Sequence, residues 1–439
     1  MNELLKITSK VSDQAELYYN SQENDSISFE NAQLKDIDSK IQSGLSLRLI
    51  KDNKLGFAYT KNLLNPQDLV DNALSSLKGG VEAEFNFPLT SEVTKVNTYD
   101  SSLEELSNTV IVKECQRLVD LLTSRTKGQV NVDAGKVLEK LSIANNHGTN
   151  LSTRSSFYYS YISVFYPASY AGVHKLLIGK KFQEMPDDSV NYVLDLYNQS
   201  QEEVKPKGER MKVLFLPETL YVLIWRLKIG TSGKSVYDKE TPIAEKIGEK
   251  IFDSKLTIYN DPLDDSLPGA RSFDDEGVSG KYFPLVEEGV LKNFYYDLHY
   301  AKKLNTVSTG HGFRGGIGFG ASEPITVKPN PGLNHLYIKP GDKTFQEMLK
   351  MMDKGIIVGG VLGAHSGNLP NGDFSVGLSP GIYVENGEIV GHVKDAMVAG
   401  NIYEVMKNVV AVENVYHPST SMGTFPSILF EDVSVATKY

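Results

Sequence analysis

The sequence predicts an α+β protein of two domains with largely antiparallel sheets, the C-terminal domain being rich in β-strands and glycine. Three observations lead there. At 439 residues the chain is too long for one ordinary core, which points to two domains. Runs with period-2 alternation are interspersed with helical periodicities, without the regular strand–helix alternation of a parallel sheet. A polar run over residues 198–208 then gives way to the apolar pattern Met211-Lys212-Val213-Leu214-Phe215-Leu216. This places a boundary near residue 205 and the domains at 1–205 and 206–439.

In chain order, an amphipathic helix opens the sequence and is followed by strand patterns at residues 15–19 and 26–30. Residues 45–50 and 55–60 flank the short polar turn Lys51-Asp52-Asn53-Lys54 and read as a hairpin. From Pro66 a helix places Leu69, Val70, Ala73 and Leu77 on one face, and residues 101–126 read as one longer helix. Residues 137–162 alternate again and turn at Asn145-Asn146-His147-Gly148, which leaves His147 exposed. Residues 217–230, with the only tryptophan at Trp225, read as a helix. Asp274-Asp275-Glu276 lie in a polar loop; carboxylates suit a hard cation, but the spacing is not that of an EF-hand, so a solvated loop is expected.

The densest signals fall in residues 355–393, GIIVGGVLGAHSGNLPNGDFSVGLSPGIYVENGEIVGHV. Asn371-Gly372 and Asn386-Gly387 are hairpin turn signals, because both central positions of a type I′ turn need positive φ. Glycine this dense weakens a strand through chain entropy and lets backbone or ligand approach closely. A crowded, bulged sheet and a peptide-binding cleft both fit. The candidate peptide-binding side chains are His311 and Arg314 in the glycine-rich stretch 310–320, with His365 and Asp373 in the later stretch. Histidine and arginine there suit a carboxylate or a peptide backbone, the alternative being an arginine that caps a local carbonyl. Set among glycines, Arg314 and His365 are expected to be exposed.

Composition narrows the function. Charged residues make up 23% and hydrophobic ones 40%, as in ordinary globular proteins. A formal net charge of -10 opposes a phosphate-tracking surface, so no nucleic-acid partner is expected, and short lysine runs such as Lys180-Lys181 read as solvated faces. The first 20 residues lack the continuous apolar segment of a secretory signal, and no window approaches the roughly 18 apolar residues of a membrane span. A cytoplasmic protein with no membrane attachment is expected. The single cysteine, Cys115, sits in a helical stretch without a neighbouring histidine and reads as a packing residue.

Several chemistries lack their motif. None of the eight histidines is followed by glutamate, and no two lie within five residues of each other, so the His pair of a zinc-peptidase helix is missing. Walker-type GxxxxGK[ST] is absent as well. Gly377-Leu378-Ser379-Pro380-Gly381 has the letters of a nucleophile elbow, but Pro380 has no N–H for an oxyanion and the residues after it are strand-like, so Ser379 is a turn residue. The glycines of residues 310–320 lack the subsequent helix and the acid of a dinucleotide fingerprint.

Gly44-Leu45-Ser46-Leu47-Arg48-Leu49-Ile50-Lys51 with Leu55-Gly56-Phe57-Ala58-Tyr59-Thr60, then Ser272-Phe273-Asp274-Asp275-Glu276-Gly277-Val278, the stretch 355–393 and Ala399-Gly400-Asn401 occur in an order and spacing that resembles the TldD/PmbA family. These proteins were once called modulators of DNA gyrase and are regarded as peptidases. TldD-type members carry HExxxH on a helix and pair with a PmbA (TldE)-type subunit that lacks it. The equivalent helix here is residues 220–230, where the metal site falls on Trp225, Arg226 and Gly230, none a useful zinc ligand. Ser235-Val236-Tyr237 and Gly363-Ala364-His365-Ser366-Gly367-Asn368 also resemble the PmbA branch. The resemblance implies a metallopeptidase-family subunit with no cofactor and no catalysis of its own. Zinc or a similar divalent metal would sit in a TldD-type, HExxxH-bearing partner, and the pair would act on unfolded or leader peptides. Alone, this chain would self-associate, through its C-terminal domain. The alternative is a stand-alone peptide-binding or regulatory protein; a self-sufficient metallopeptidase would need His311, His365 and Asp373 to converge.

Overall fold

The computed structural model describes residues 1–315, 323–419 and 423–438. Its first half is built on one antiparallel sheet of six strands: β1 (Gln14–Glu30), β2 (Gln33–Lys51), β3 (Lys54–Thr60), β4 (Gln129–Asn145), β5 (Asn150–Phe165) and β6 (Gly172–Gly179). They lie in the order β3-β2-β1-β4-β5-β6. The turn between β2 and β3 has Asp52 and Asn53 at φ 50° and 57°, the hairpin expected there. Helices α1 (Asn2–Thr8) and α2 (Pro66–Ser76) cover one end of the sheet, Leu4, Leu69, Val70 and Ala73 packing on Leu17, Leu47 and Leu49. After the single turn α3 (Ser102–Glu105), helices α4 (Asn108–Thr123) and α5 (Asp187–Gln199) cover the other end, over Ile27, Phe29, Val132 and Ile162. Cys115 is fully buried in α4, and burial pushes its thiol up to about 12, as suits a packing residue.

The second half centres on β7 (Arg210–Phe215), α6 (Tyr221–Gly230) and α7 (Gly233–Tyr237). The next elements are β8 (Ile258–Asn260), β9 (Phe283–Glu287), β10 (Val290–Leu291), α8 (Leu298–Lys303), β11 (Gly312–Phe313), β12 (Asn330–Pro331) and β13 (Leu336–Ile338). Then come α9 (Phe345–Met352), β14 (Gly355–Val358), β15 (Val361–Leu362), β16 (Asp373–Leu378), β17 (Gly381–Glu385), β18 (Glu388–Val393) and β19 (Met397–Asn401). The chain closes with α10 (Ile402–Val405), β20 (Val409–Val412), β21 (His417–Ser419), β22 (Gly423–Phe425) and β23 (Ile428–Ala436). The main sheet runs β15-β16-β19-β23-β7-β14-β17-β18 with β20 also on β23, and β7–β14 is its parallel pair. A second sheet runs β10-β9-β8-β13-β22-β21. Helix α6 is apolar nearly all round and fills the core beside these sheets, as such a helix must. The protein is thus α+β with largely antiparallel sheets, and no helix among the described residues is long and apolar enough to cross a membrane.

Several elements differ from expectation for local reasons. The strand patterns at 15–19 and 26–30 are one 17-residue strand, β1, whose polar middle is held by ladders on both sides. The helix expected over 101–126 is interrupted at Leu106, which is extended. The run 198–208 is pinned rather than free: Val204 N–H donates to His392 O at 2.9 Å and His392 N–H to Glu202 O at 2.8 Å. Asn386-Gly387 closes the β17–β18 hairpin at φ 53° and 75°, as expected. Asn371-Gly372 does not close a hairpin; it ends a long loop, residues 363–372, between β15 and β16. Ser379 lies in a turn between β16 and β17 with no helix after it.

The largest correction concerns Asp274, Asp275 and Glu276, which are buried instead of solvated. They face the side of the first sheet opposite α4. Arg48 on β2 grips Glu16 on β1 with Nε to Oε1 at 2.9 Å and Nη2 to Oε2 at 2.8 Å, and sends Nη1 to Glu276 Oε1 at 2.9 Å. Asp274 accepts from the backbone N–H groups of Glu276, Val278 and Gly312. Asp275 accepts from Arg271 Nη2 and from the Arg314 N–H, both at 2.7 Å. Glu276 Oε2 also accepts from Leu298 N–H, and Asp297 caps α8 by accepting from Tyr300 N–H, again at 2.7 Å. Carboxylates tolerate burial only with such partners.

Here five carboxyls, Glu16, Asp274, Asp275, Glu276 and Asp297, meet three guanidinium groups, Arg48, Arg271 and Arg314. Excess buried negative charge retains protons. Burial first, and Glu276 second, hold Asp274 well above the carboxylate range and push Asp297 up to about 8. Folded Asp297 therefore keeps its proton at neutral pH, whereas in the unfolded chain it ionises near ~3.9. Its stabilising effect is complete below that value and is lost as pH rises through about 8. Asp297→Asn keeps the capping oxygen and cannot ionise. Urea midpoints measured from about pH 5 to about pH 9 should show the variant gaining on the wild type as pH rises; parallel curves would refute the buried proton.

Candidate functional site

Helix α6 carries two charges in an otherwise apolar ten-residue run, Arg226 and Lys228, and both are buried. Arg226 is satisfied by carbonyls alone. Its Nη1 donates to Val222 O at 2.7 Å, Nε to Asp373 O at 2.5 Å, and Nη2 to Ala364 O at 3.0 Å and Ser366 O at 2.7 Å. One side chain thereby fastens both ends of the loop 363–372 to the core helix. Burial lowers its pKa to about 10, and nearby Asp373 acts in the opposite sense, so the guanidinium is a permanent cation at neutral pH. Lys228 donates to Leu333 O, and burial alone brings it down to about 7.

The loop follows this clamp closely. Gly363, Gly367 and Gly372 have φ of 71°, 104° and 87°, and a Cβ at Gly367 would stand 2.5 Å from Asp373 O. The Asp373 carboxylate accepts from Asn371 Nδ2 at 2.9 Å and Asn401 Nδ2 at 2.8 Å, bonds that hold it below the usual carboxylate range. Asn401 also caps α10 through Tyr403 N–H. The glycines of 363–372 are therefore explained by backbone geometry. Arg226 and Asn401 were not singled out as a pair by the sequence, although an arginine inside an apolar helix is the signal that could have marked the clamp.

The four side chains expected to bind peptide are not brought together. His311 is enclosed, with Nδ1 2.9 Å from Thr309 Oγ1, Nε2 3.3 Å from Asn260 Nδ2, and its ring against Phe283 and Tyr295. Burial lowers its pKa to about 3, so it is neutral. The expected exposure of Arg314 is overturned: Nη1 donates to Ser46 Oγ at 2.8 Å and Val327 O at 3.1 Å, Nη2 lies 3.3 Å from Glu16 Oε1, and the guanidinium lies 4.2 Å from the Tyr18 ring centre. Its glycine neighbours did not expose it, because the burying groups come from β1 and β2. His365 is exposed on the loop, and Asp373 is half-buried beneath it. Residues 316–320 of the glycine-rich stretch lie outside the described residues.

The metal implied by the resemblance can be tested against these residues. HExxxH laid on α6 falls on Trp225, Arg226 and Gly230. A guanidinium occupies the position of the acid, and a Cβ at Gly230 would stand 2.1 Å from Tyr403 Oη, so an imidazole there would require Tyr403 to move. Among the described residues no three His, Cys, Asp or Glu side chains are grouped to hold a metal ion. The α6 position does not fit one.

Arg314→Ala should cost about 3–5 kcal/mol, since it strips a buried ionic cluster of a cation. Arg226→Ala should cost about 2 kcal/mol or more by leaving buried carbonyls without donors. His365→Ala should stay within about 0.5 kcal/mol. Urea unfolding of the three variants checks this order, and a destabilised His365→Ala would show that the loop depends on that ring.

Comparison with known proteins places this geometry. Residues 208–437 match the model of the PmbA/TldA metallopeptidase C-terminal domain, and residues 15–77 match PmbA/TldA metallopeptidase domain 1. The crystal structure of TldE from Thermococcus kodakarensis is similar with a TM-score of 0.89, at 25% identity and over 99% of both chains. An uncharacterized protein of Methanocaldococcus jannaschii is 26% identical, the match covering 98% of each chain. Metalloprotease PmbA of Escherichia coli O157:H7 is 31% identical over 204 residues, 46% of this chain and 40% of that protein. The first match alone spans more than half of the sequence, and the chain belongs to the PmbA/TldD metallopeptidase family, as a PmbA/TldE-type member.

Proposed function

We propose that this chain is the metal-free subunit of a TldD/TldE-type peptidase and helps shape the cleft that receives an unfolded or leader peptide. The observation that carries the reading is Arg226, a fixed cation bound to four carbonyls at the position where the family's HExxxH would put its acid. A permanent cation there holds the loop 363–372 without a metal and repels one. The partner would be a TldD-type chain that brings the divalent metal, zinc or similar, and the general base. Within the pair, exposed His365 and Asn368 are side chains of this loop available to a peptide, and an extended peptide gains affinity from backbone hydrogen bonds at a sheet edge.

Co-expression with an HExxxH-bearing TldD-type chain tests this. The two should co-elute on sizing, and the complex should digest an unfolded protein that neither this chain nor metal-loaded buffer degrades. This chain purified alone should hold near zero equivalents of zinc or iron. One equivalent of metal per chain, or digestion by this chain alone, would overturn the reading. Failure to pair while still binding unfolded peptide would favour a stand-alone peptide-binding protein.

A further inference from the structure

The outer face of the second sheet carries a row of tyrosines. In β8 and β13, Ile258, Leu336 and Ile338 belong to the core, so strand alternation turns the register partners Tyr259 and Tyr337 to the other face. Their rings stack at 5.3 Å and 11°. Tyr282, just before β9, extends the row on one side, its ring centre 5.3 Å from that of Tyr259, and Tyr416 extends it on the other, 6.1 Å from Tyr337. Tyr337 is buried beneath its neighbours, whereas Tyr282 is 52% exposed and Tyr416 40%. Rings with an apolar body and a polar tip are the side chains that binding surfaces favour.

Carboxylates stand at one end of this row. Asp261 Oδ1 accepts from Leu263 N–H at 3.2 Å, and Asp264 accepts from Ser266 N–H at 3.0 Å and from Tyr337 Oη at 2.9 Å. Neither acid has an ion pair among the described residues. Burial first, and then Tyr416 and Tyr282 with the carboxylates of Asp261 and Asp264, hold the Tyr259 phenol above its ordinary value; burial, Glu287 and Asp261 do the same for Tyr282. Lys339 lies at the opposite end, its N–H on Thr257 O, whereas Asp261 N–H donates to His335 O. Ring faces beside uncompensated negative charge suit a guanidinium, which is planar, weakly hydrated and stacks on aromatic rings. Phosphates, and with them nucleic acids, would be repelled. We infer that the tyrosine row holds an arginine side chain of the bound peptide, with its guanidinium on the rings and Asp261 as its counter-ion. This rests on the peptide-cleft reading above and narrows the substrate class to unfolded segments that carry arginine.

Fluorescence anisotropy with the full chain tests this, using a labelled unstructured peptide with one arginine and the same peptide with citrulline in its place. Citrulline keeps the shape and loses the charge. The wild type should bind the arginine peptide about fivefold or more tightly than the citrulline peptide, as a cation on exposed rings beside a carboxylate implies. Asp261→Asn, which keeps the oxygen that accepts from Leu263, and Tyr282→Leu and Tyr416→Leu, which keep an apolar side chain, should each weaken arginine binding about threefold or more. Citrulline binding and melting temperatures should not change. A wild type that binds both peptides equally, or binds neither alone and with the TldD-type chain, overturns the inference, and so does a preference that survives in all three variants. Digestion of unfolded protein by the complex without an arginine preference would sink this subsite and leave the peptidase reading standing. An intact preference without digestion would do the reverse.

Discussion

The bidentate grip of Arg48 on Glu16, extended to Glu276, is the constraint on which the arrangement of the two halves rests. Glu16 and Arg48 belong to the first sheet, while Glu276, Asp275 and Arg314 come from loops of the second half. Without the first sheet, Glu276 and Arg314 would lose their ion partners Arg48 and Glu16, and an uncompensated buried charge costs more than the pair returns as stability. Such a cluster therefore acts chiefly on specificity, by permitting one way of docking. It also fixes the backbone of the stretch around Gly312 and Arg314, because Asp274 and Asp275 accept N–H groups from both residues.

Around α6 the same economy works with cations and carbonyls. A buried guanidinium can take several carbonyl partners in fixed directions, whereas an ammonium is a point charge. Arg226 accordingly fastens the loop 363–372 at Ala364, Ser366 and Asp373, and Lys228 reaches a single carbonyl, that of Leu333. In geometric terms the arginine does what a bound metal does, drawing oxygens from distant parts of the chain to one centre. Unlike a metal it cannot exchange or activate water. The loop 363–372 is thus held to the core by a side chain of the protein itself.

How much of the fold the sequence reveals depends on how local each signal is. The β2–β3 hairpin, the β17–β18 hairpin, α2 with its Pro66 start and the turn at 145–148 rest on residues within a few positions of one another, and all four are present. Asn371-Gly372 carries the same local signal but is diverted, because Gly372 is needed beneath Tyr403 and its carbonyl caps Ile402. The solvated reading of Asp274–Glu276 and the exposed reading of Arg314 failed for a common cause. Acids in a row, or an arginine among glycines, are exposed unless counter-charges arrive from elsewhere, and Glu16 and Arg48 lie more than 220 residues away, a separation that periodicity cannot sense. Family resemblance supplied what spacing could not, marking residues 272–278 as significant without saying why.

The outer half of β2 shows the opposite relation between pattern and structure. Residues 33–41 have no apolar alternation against a core, so nothing in the sequence marks them as strand, yet they form one because β1 is already held by β4 along its other side. A strand that buries neither face draws its order from the ladder beside it and leaves its second row of N–H and C=O groups to water. Nine exposed residues ordered in that way are dispensable to the core. Their side chains are therefore free to vary under a requirement other than folding.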